Sequence, residues 1–223
     1  MDLSDPADLR TARLTLLRPS SNTRPAVWLR DENGRRTVIK DYRANGCLFR
    51  NSVGRFLVWR EKKAYRRLRG LAGIPQLVET VSGLALVVGA VAAQNVAEYE
   101  KRGQLPPGFF DSLGALVDRV HRCGLAHCDL KRASNVLIGE DLQPYIVDWA
   151  AAISCHEFRF FPLNRIYRRF LADDFNALIK LRLRHCPDGV SPTEKERFAY
   201  RSRAEKFVRW LRDSARSLLQ RIA

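Results

Sequence analysis
The chain has 223 residues, 46% of them hydrophobic and 28% charged, enough for one globular domain or two lobes with a sizeable core. No run approaches the ~20 apolar residues a membrane-spanning helix needs; the acidic opening MDLSDPADLR lacks the apolar stretch of a secretory signal; and five cysteines, an odd number, suit reduced thiols better than a disulfide framework. A cytoplasmic location is expected, and the formal charge of +15 calls for an anionic partner: phosphate, nucleic acid, acidic protein or a lipid surface.

The polar stretch RPSSNTRP (18–25) reads as a loop. PAVWLR and RTVIKDY are β-prone and flank DENGR, whose Asn33-Gly34 pair predicts a hairpin that delivers Lys40 at its far end. From Ser52 to Arg69 the spacing is helical, with Leu57, Glu61, Ala64, Tyr65 and Leu68 on one stripe. A carboxylate among such neighbours needs a cationic partner. QLVETV and LALVVGAV, split by Ser82-Gly83, complete a small antiparallel sheet with one helix.

The remainder is mostly helical. PPGFFDSLGALVDRVHRCG opens after two prolines, closes at Gly124 and carries Phe109, Leu113, Leu116, Val117 and Val120 on one face. Val136–Ile138 and Tyr145–Val147 flank the turn GEDLQ and form a second hairpin. Residues 163–185 and 191–223 read as two further helices separated by CPDGV. The last has an apolar face of Tyr200, Ala204, Phe207, Val208, Leu211, Ala215, Leu218, Leu219 and Ile222. Its other side holds Arg201, Arg203, Lys206, Arg209, Arg212 and Arg216, fit for solvent or for anionic lipid. His121, Cys123, His127 and Cys128 lie close together, but no CxxC occurs and neighbours on a strand point to opposite faces, so structural zinc is disfavoured.

The chemistry concentrates around the second hairpin. Asn135 immediately precedes its first strand and Asp148 immediately follows its second, so antiparallel pairing brings a carboxylate and an amide oxygen to the open end. Hard oxygen donors of this kind suit Mg2+. Asp129, a few residues upstream, is placed to orient an acceptor hydroxyl and take its proton, and Lys131 to offset charge on a transferring phosphoryl group.

His127-Cys128-Asp129-Leu130-Lys131, Asn135 and Val147-Asp148-Trp149 resemble the catalytic loop and magnesium segment of protein-kinase-like enzymes, and Val38-Ile39-Lys40 resembles their nucleotide-contacting lysine strand. The pieces occur in the expected order from about Arg18 to Asp148. The layout is similar to small bacterial RIO-like kinases and lipopolysaccharide-core (Kdo/heptose) kinases. The resemblance implies an α+β, two-lobed fold: a small N-terminal antiparallel sheet lobe (1–88) that clamps ATP, and a reduced helical catalytic lobe (89–223). It implies that Glu61 pairs with Lys40, that Ser20, Ser21 and Asn22 cover the phosphates in place of the usual glycines, and that the adenine edge meets the backbone from Gly89 to Val91.

Counted strictly, the family spacing would put Ser134 at the amide ligand's position; Asn135 is preferred for its amide oxygen and its place against the strand. Asp173 or Asp174, opening a helix, either resembles the aspartate that braces the catalytic loop or is a plain N-cap. No alanine-proline-glutamate segment follows, so a peptide-docking platform of ordinary length is missing. The implied activity is an ATP- and Mg2+-dependent (or Mn2+-dependent) transfer to a hydroxyl of an anionic acceptor, a lipopolysaccharide-core sugar or a protein serine or threonine. Peripheral contact with the inner face of an anionic membrane would accompany it, and nucleic acid ranks behind as a partner. The competing reading is a catalytically silent kinase-like module that binds nucleic acid or anionic membrane. Residue by residue, Lys40 could be an edge-strand lysine, Asp148 a strand terminator and His127 a structural group that fixes the loop.

Overall fold
A computed structural model describes residues 12–199, which divide into two compact units: 12–62 with 76–91, and 63–75 with 92–199. The fold is α+β, with an N-terminal antiparallel sheet and a helical C-terminal part. Beyond Ala199 the expected C-terminal helix lies outside the described residues.

The first unit holds strands β1 (Ala12–Arg18), β2 (Ala26–Glu32), β3 (Arg35–Asp41), β4 (Leu77–Val81) and β5 (Ala85–Gly89) in the order β1-β2-β3-β5-β4, all antiparallel. Asn33 and Gly34 both take positive φ, 52° and 84°, as a two-residue hairpin turn requires. Ser82 and Gly83 do the same between β4 and β5. Ile39, Val81, Ala85 and Val87 form a buried cluster on which Trp28 packs. Strand β1 was not expected: its side chains are largely exposed, so it carries no inward-facing pattern and rests on its ladder with β2. Strand β3 is central, with Lys40 opposite Val27 on one side and Leu86 on the other, which overturns the edge-strand reading of Lys40.

After β3 come a single turn, α1 (Cys47–Phe49), a π-helical stretch Arg50–Gly54 and the regular helix α2 (Arg55–Arg67). The helix expected from Ser52 therefore opens wider and becomes α-helical three residues later. Tyr42, Phe49 and Val58 form the cluster beneath it. Gly54 sits against Tyr42, whose Cβ would lie 3.3 Å from any Cβ placed there.

In the second unit, α3 (Val96–Tyr99) follows β6 (Ala93–Asn95), and α4 (Pro107–Arg122) buries Phe109, Phe110, Leu113, Leu116, Val117 and Val120. It ends at Gly124, φ 73°. The predicted second hairpin is β8 (Val136–Gly139) with β9 (Pro144–Ile146), joined by β6 into three strands; β7 (Leu125–Ala126) pairs with β10 (Ile153–Ser154). Strands of two or three residues are too short to show a periodicity, and β6, β7 and β10 were not expected. Helix α5 (Leu163–His185) and helix α6 (Pro192–Ala199) follow. A capping box opens α6: Glu194 accepts the Ser191 N–H at 2.8 Å and donates its own N–H to Ser191 Oγ at 3.2 Å. None of the five cysteines is in a disulfide, and no helix among the described residues is long and apolar enough to cross a membrane.

Candidate active site
In the first unit, β3 carries Lys40 and α2 carries Glu61, and Lys40 Nζ meets Glu61 Oε1 at 2.6 Å. The Glu61 side chain is 2% exposed and that of Lys40 14%, so the pair is largely removed from water. The burial problem raised by the helical stripe is met by the lysine that the hairpin delivers, and each charge holds the other in place. Ser20, Ser21 and Asn22 lie in the turn between β1 and β2, with Ser21 and Arg24 exchanging backbone bonds at 3.1 and 3.3 Å. Asn45, buried, brackets this turn: its amide nitrogen donates to the carbonyls of Ser21 at 2.6 Å and Arg24 at 3.0 Å. In the sequence Asn45 carries no signal beyond the Asn45-Gly46 pair, which reads as a turn and not as a bracket. At the end of β5 the Gly89 N–H donates to Gln76 O at 2.8 Å and the Ala90 N–H to Arg36 O at 3.0 Å.

In the second unit, residues 127–148 form one hydrogen-bonded network. Asn135 is buried, and its amide nitrogen donates to the Asp129 carbonyl at 3.0 Å, with Asp129 Oδ2 at 3.4 Å. Anchoring the nitrogen sets the amide's orientation and leaves Oδ1 as its acceptor atom, with Ser134 Oγ at 3.5 Å. Ser134 itself is exposed. The Val147 N–H donates to Asn135 O at 3.0 Å, and Val147 O accepts from His127 Nε2 at 3.0 Å. One residue, Val147, thus ties the two ends of the hairpin to the loop. The next residue, Asp148, takes a left-handed backbone (φ 68°, ψ 67°) and leads into the short turn Trp149–Ala151.

His127 acts through structure. Its Nδ1 accepts the Asp129 N–H at 3.2 Å, so Nε2 carries the proton and donates to Val147; its ring stacks edge-on to buried Trp149 at 4.7 Å. His121 is hydrogen-bonded to Asp174, and among the described residues no three His, Cys, Asp or Glu side chains group so as to hold a metal ion. The donors at Asn135 and Asp148 still fit magnesium, which in nucleotide sites takes one or two protein oxygens and completes its shell with water and phosphate.

Two further residues belong to the loop. Asp174 accepts the backbone N–H groups of His127 at 2.7 Å and Cys128 at 3.0 Å, and His121 Nε2 lies 3.1 Å from it. It lies inside α5, so the N-cap alternative fails, and neither aspartate opens a helix; Asp173 instead pairs with Arg169 at 3.0 Å. Arg132, not foreseen, holds Asp129 Oδ2 at 3.0 Å, while Lys131 is exposed. Burial pushes the Tyr167 phenol up to about 12, Cys155 adds to the rise and Arg67 opposes it.

Residues 33–165, more than half of the chain, match the family model described as the RIO domain. No curated protein sequence matches the chain. Among solved structures, the Rio2 kinase from Chaetomium thermophilum superposes with a TM-score of 0.59 at 16% identity, over 84% of this chain and 61% of that one. The Rio2 kinase-ADP/Mg2+-phosphoaspartate complex from the same organism gives 0.57 at 18% identity, over 82% and 60%. The chain spans about three fifths of the length of these solved chains, and at such identity the likeness is one of fold. With the family match enclosing Lys40, Glu61 and the whole loop from His127 to Asp148, the chain belongs to the RIO-domain family, a branch of the protein-kinase-like superfamily.

Proposed function
We propose that the protein is an ATP-dependent phosphotransferase with a hydroxyl acceptor. The observation that carries this reading is the single network in which the Asn135 amide holds Asp129 while Val147, beside Asp148, is bonded to both Asn135 and His127. Such a network would hold the base and the two oxygen donors in register for transfer.

Lys40, held by Glu61, grips the nucleotide phosphates, and the Ser20-Ser21-Asn22 turn covers them. Because the Gly89 N–H is already donated to Gln76, a nucleotide bond at Gly89 uses its carbonyl, and Val91 supplies the other adenine contact. Asp148 and Asn135 would hold Mg2+, whose charge offsets that of the phosphates. Asp129 takes the acceptor hydroxyl's proton as the acceptor's oxygen bonds to the γ-phosphorus and the bond from the γ-phosphorus to the bridging β-phosphate oxygen breaks, releasing ADP. Lys131 stabilises charge on the transferring group, and Arg132 positions Asp129. Residues 1–88 clamp the nucleotide and 89–223 carry the chemistry, from the cytoplasmic side where ATP is found. The acceptor is a lipopolysaccharide-core sugar or a protein serine or threonine. The net charge of +15 favours an anionic acceptor in either case.

The test is labelled ATP with Mg2+ or Mn2+, offered core oligosaccharide in one arm and a protein extract in the other. Intact protein should transfer one phosphate, and Asp129→Ala and Asp148→Ala should each reduce transfer by ~10²-fold or more. The phosphoaspartate in the Chaetomium complex makes an acyl phosphate on the protein worth scoring by its lability to hydroxylamine. If no arm shows turnover while nucleic acid or anionic membrane binding survives both substitutions, the silent-module reading replaces this one.

A further inference from the structure
Helix α5 is preceded by an exposed apolar patch that the network above does not use. Phe160 is 69% exposed, Phe161 71% and Leu163 42%. Isolated surface hydrophobes are ordinary, but these three fall within four consecutive residues. Each phenylalanine carries an arginine: the Arg159 guanidinium lies 4.8 Å from the Phe160 ring centroid and that of Arg165 5.1 Å from Phe161.

We propose that Phe160, Phe161 and Leu163 insert into the headgroup boundary of an anionic bilayer while Arg159 and Arg165 bind its phosphates. Each guanidinium lies within about 5 Å of the ring it covers, so cationic and apolar groups share one stretch of surface, the composition of a segment that sits at a lipid headgroup boundary. A guanidinium, weakly hydrated and forked, serves both as ring cover in water and as phosphate ligand at the surface. Charge selects among the occupants: with +15 overall, a second copy is repelled and an anionic lipid surface attracted. Nucleic acid would hold such a patch by stacking bases on aromatic faces, which Leu163 does not offer, whereas all three side chains can enter acyl chains. This inference is independent of phosphotransfer, because the site is read from exposed surface alone.

The experiment is co-sedimentation of the full chain with phosphatidylglycerol vesicles and with phosphatidylcholine vesicles. Intact protein should prefer the anionic vesicles; Phe160→Ser/Phe161→Ser should weaken that binding at least tenfold with the melting temperature unchanged. Arg159→Gln/Arg165→Gln should remove most of the preference for anionic over neutral lipid. Phe56→Ser/Trp59→Ser, in the exposed aromatic pair on α2, should leave binding intact. The proposal is overturned if the phenylalanine variant binds vesicles as the intact protein does, or if the α2 variant alone loses binding. It is equally overturned if the phenylalanine variant melts several degrees lower, which would mean the patch is covered by the chain itself, or if that variant loses a dimer or oligonucleotide binding and not vesicle binding.

Discussion

The Asp174 carboxylate accepts the His127 backbone N–H at 2.7 Å, across 47 positions of sequence. With the second bond from Cys128, it converts a loop that includes a positive φ at Cys128 (69°) into a fixed platform for Asp129. The Asp174 side chain is 2% exposed, so the two N–H groups have little water to turn to if it is removed. Asp174→Ala should lower stability by about 3–5 kcal/mol in urea unfolding, and Asp174→Asn, which keeps one oxygen, by about half as much. A loss below about 1 kcal/mol for Asp174→Ala would show that the loop holds itself.

Lys40 and Glu61 are mutually dependent. Lys40→Met leaves a buried carboxylate without its ammonium and should cost about 3–5 kcal/mol, whereas Lys40→Met/Glu61→Leu should recover most of that. ATP turnover should be lost in both. Equal destabilisation in the single and double variants would contradict the coupling.

Asn45 should matter to nucleotide affinity without touching nucleotide. Asn45→Ala removes the donor to the turn carbonyls of Ser21, Asn22 and Arg24 and should cost about 1–3 kcal/mol. In kinetics it should raise the KM for ATP more than it lowers kcat, because the Ser20-Ser21-Asn22 turn loses its fixed shape. A change confined to kcat would disconnect this turn from the phosphates.

Glycine substitutions separate strain from space. At Gly124, φ is 73° and an added Cβ would lie 2.6 Å from Cys155 Sγ and 2.8 Å from Arg67 Nη2. Gly124→Ala should therefore lower stability by more than about 1 kcal/mol. At Gly114, inside α4, nothing lies within 4 Å. Gly114→Ala should stabilise by about 0.5–1 kcal/mol. Thermal melts of the two variants should move in opposite directions.

Alkaline pH should weaken the fold through Tyr167. Its phenol, pushed up to about 12 by burial, keeps its proton in the native state between the ordinary value of 10 and that raised one. The native state then binds more protons than the unfolded chain, so this stabilisation is complete below pH 10 and is lost as pH rises through about 12. Urea midpoints compared at about pH 9 and pH 11 should fall less for Tyr167→Phe than for the intact chain. Tyr145, also raised chiefly by burial, contributes in the same direction and leaves a residual slope.

Much of the fold was legible because the strong local signals agree with the tertiary outcome. Asn33-Gly34 and Ser82-Gly83 make their hairpins, and α4 and α5 begin and end near their punctuation. Strand β1 leaves no pattern in the sequence because its side chains face solvent, and β7 and β10 leave none because two residues cannot show a period. The π-helical entry to α2 depends on how Tyr42 packs against Gly54, which spacing along the chain does not report.

The same division runs through the site. By itself the sequence determined which chemical groups are present and in what order: the lysine strand, the helix glutamate, and the loop from Asp129 through Asn135 to Asp148. These are short-range matters of residue type and strand pairing. Only the tertiary structure decided that Asp174 and not its neighbour Asp173 supports the loop, since adjacent helical residues point about 100° apart and packing alone selects which one faces inward. It likewise decided that Asn45 brackets the Ser21 turn and that Arg132 holds Asp129. These contacts join side-chain tips to backbone N–H groups, to carbonyls and to one another as the local chain path and the packing dictate, and no periodicity along the chain encodes them.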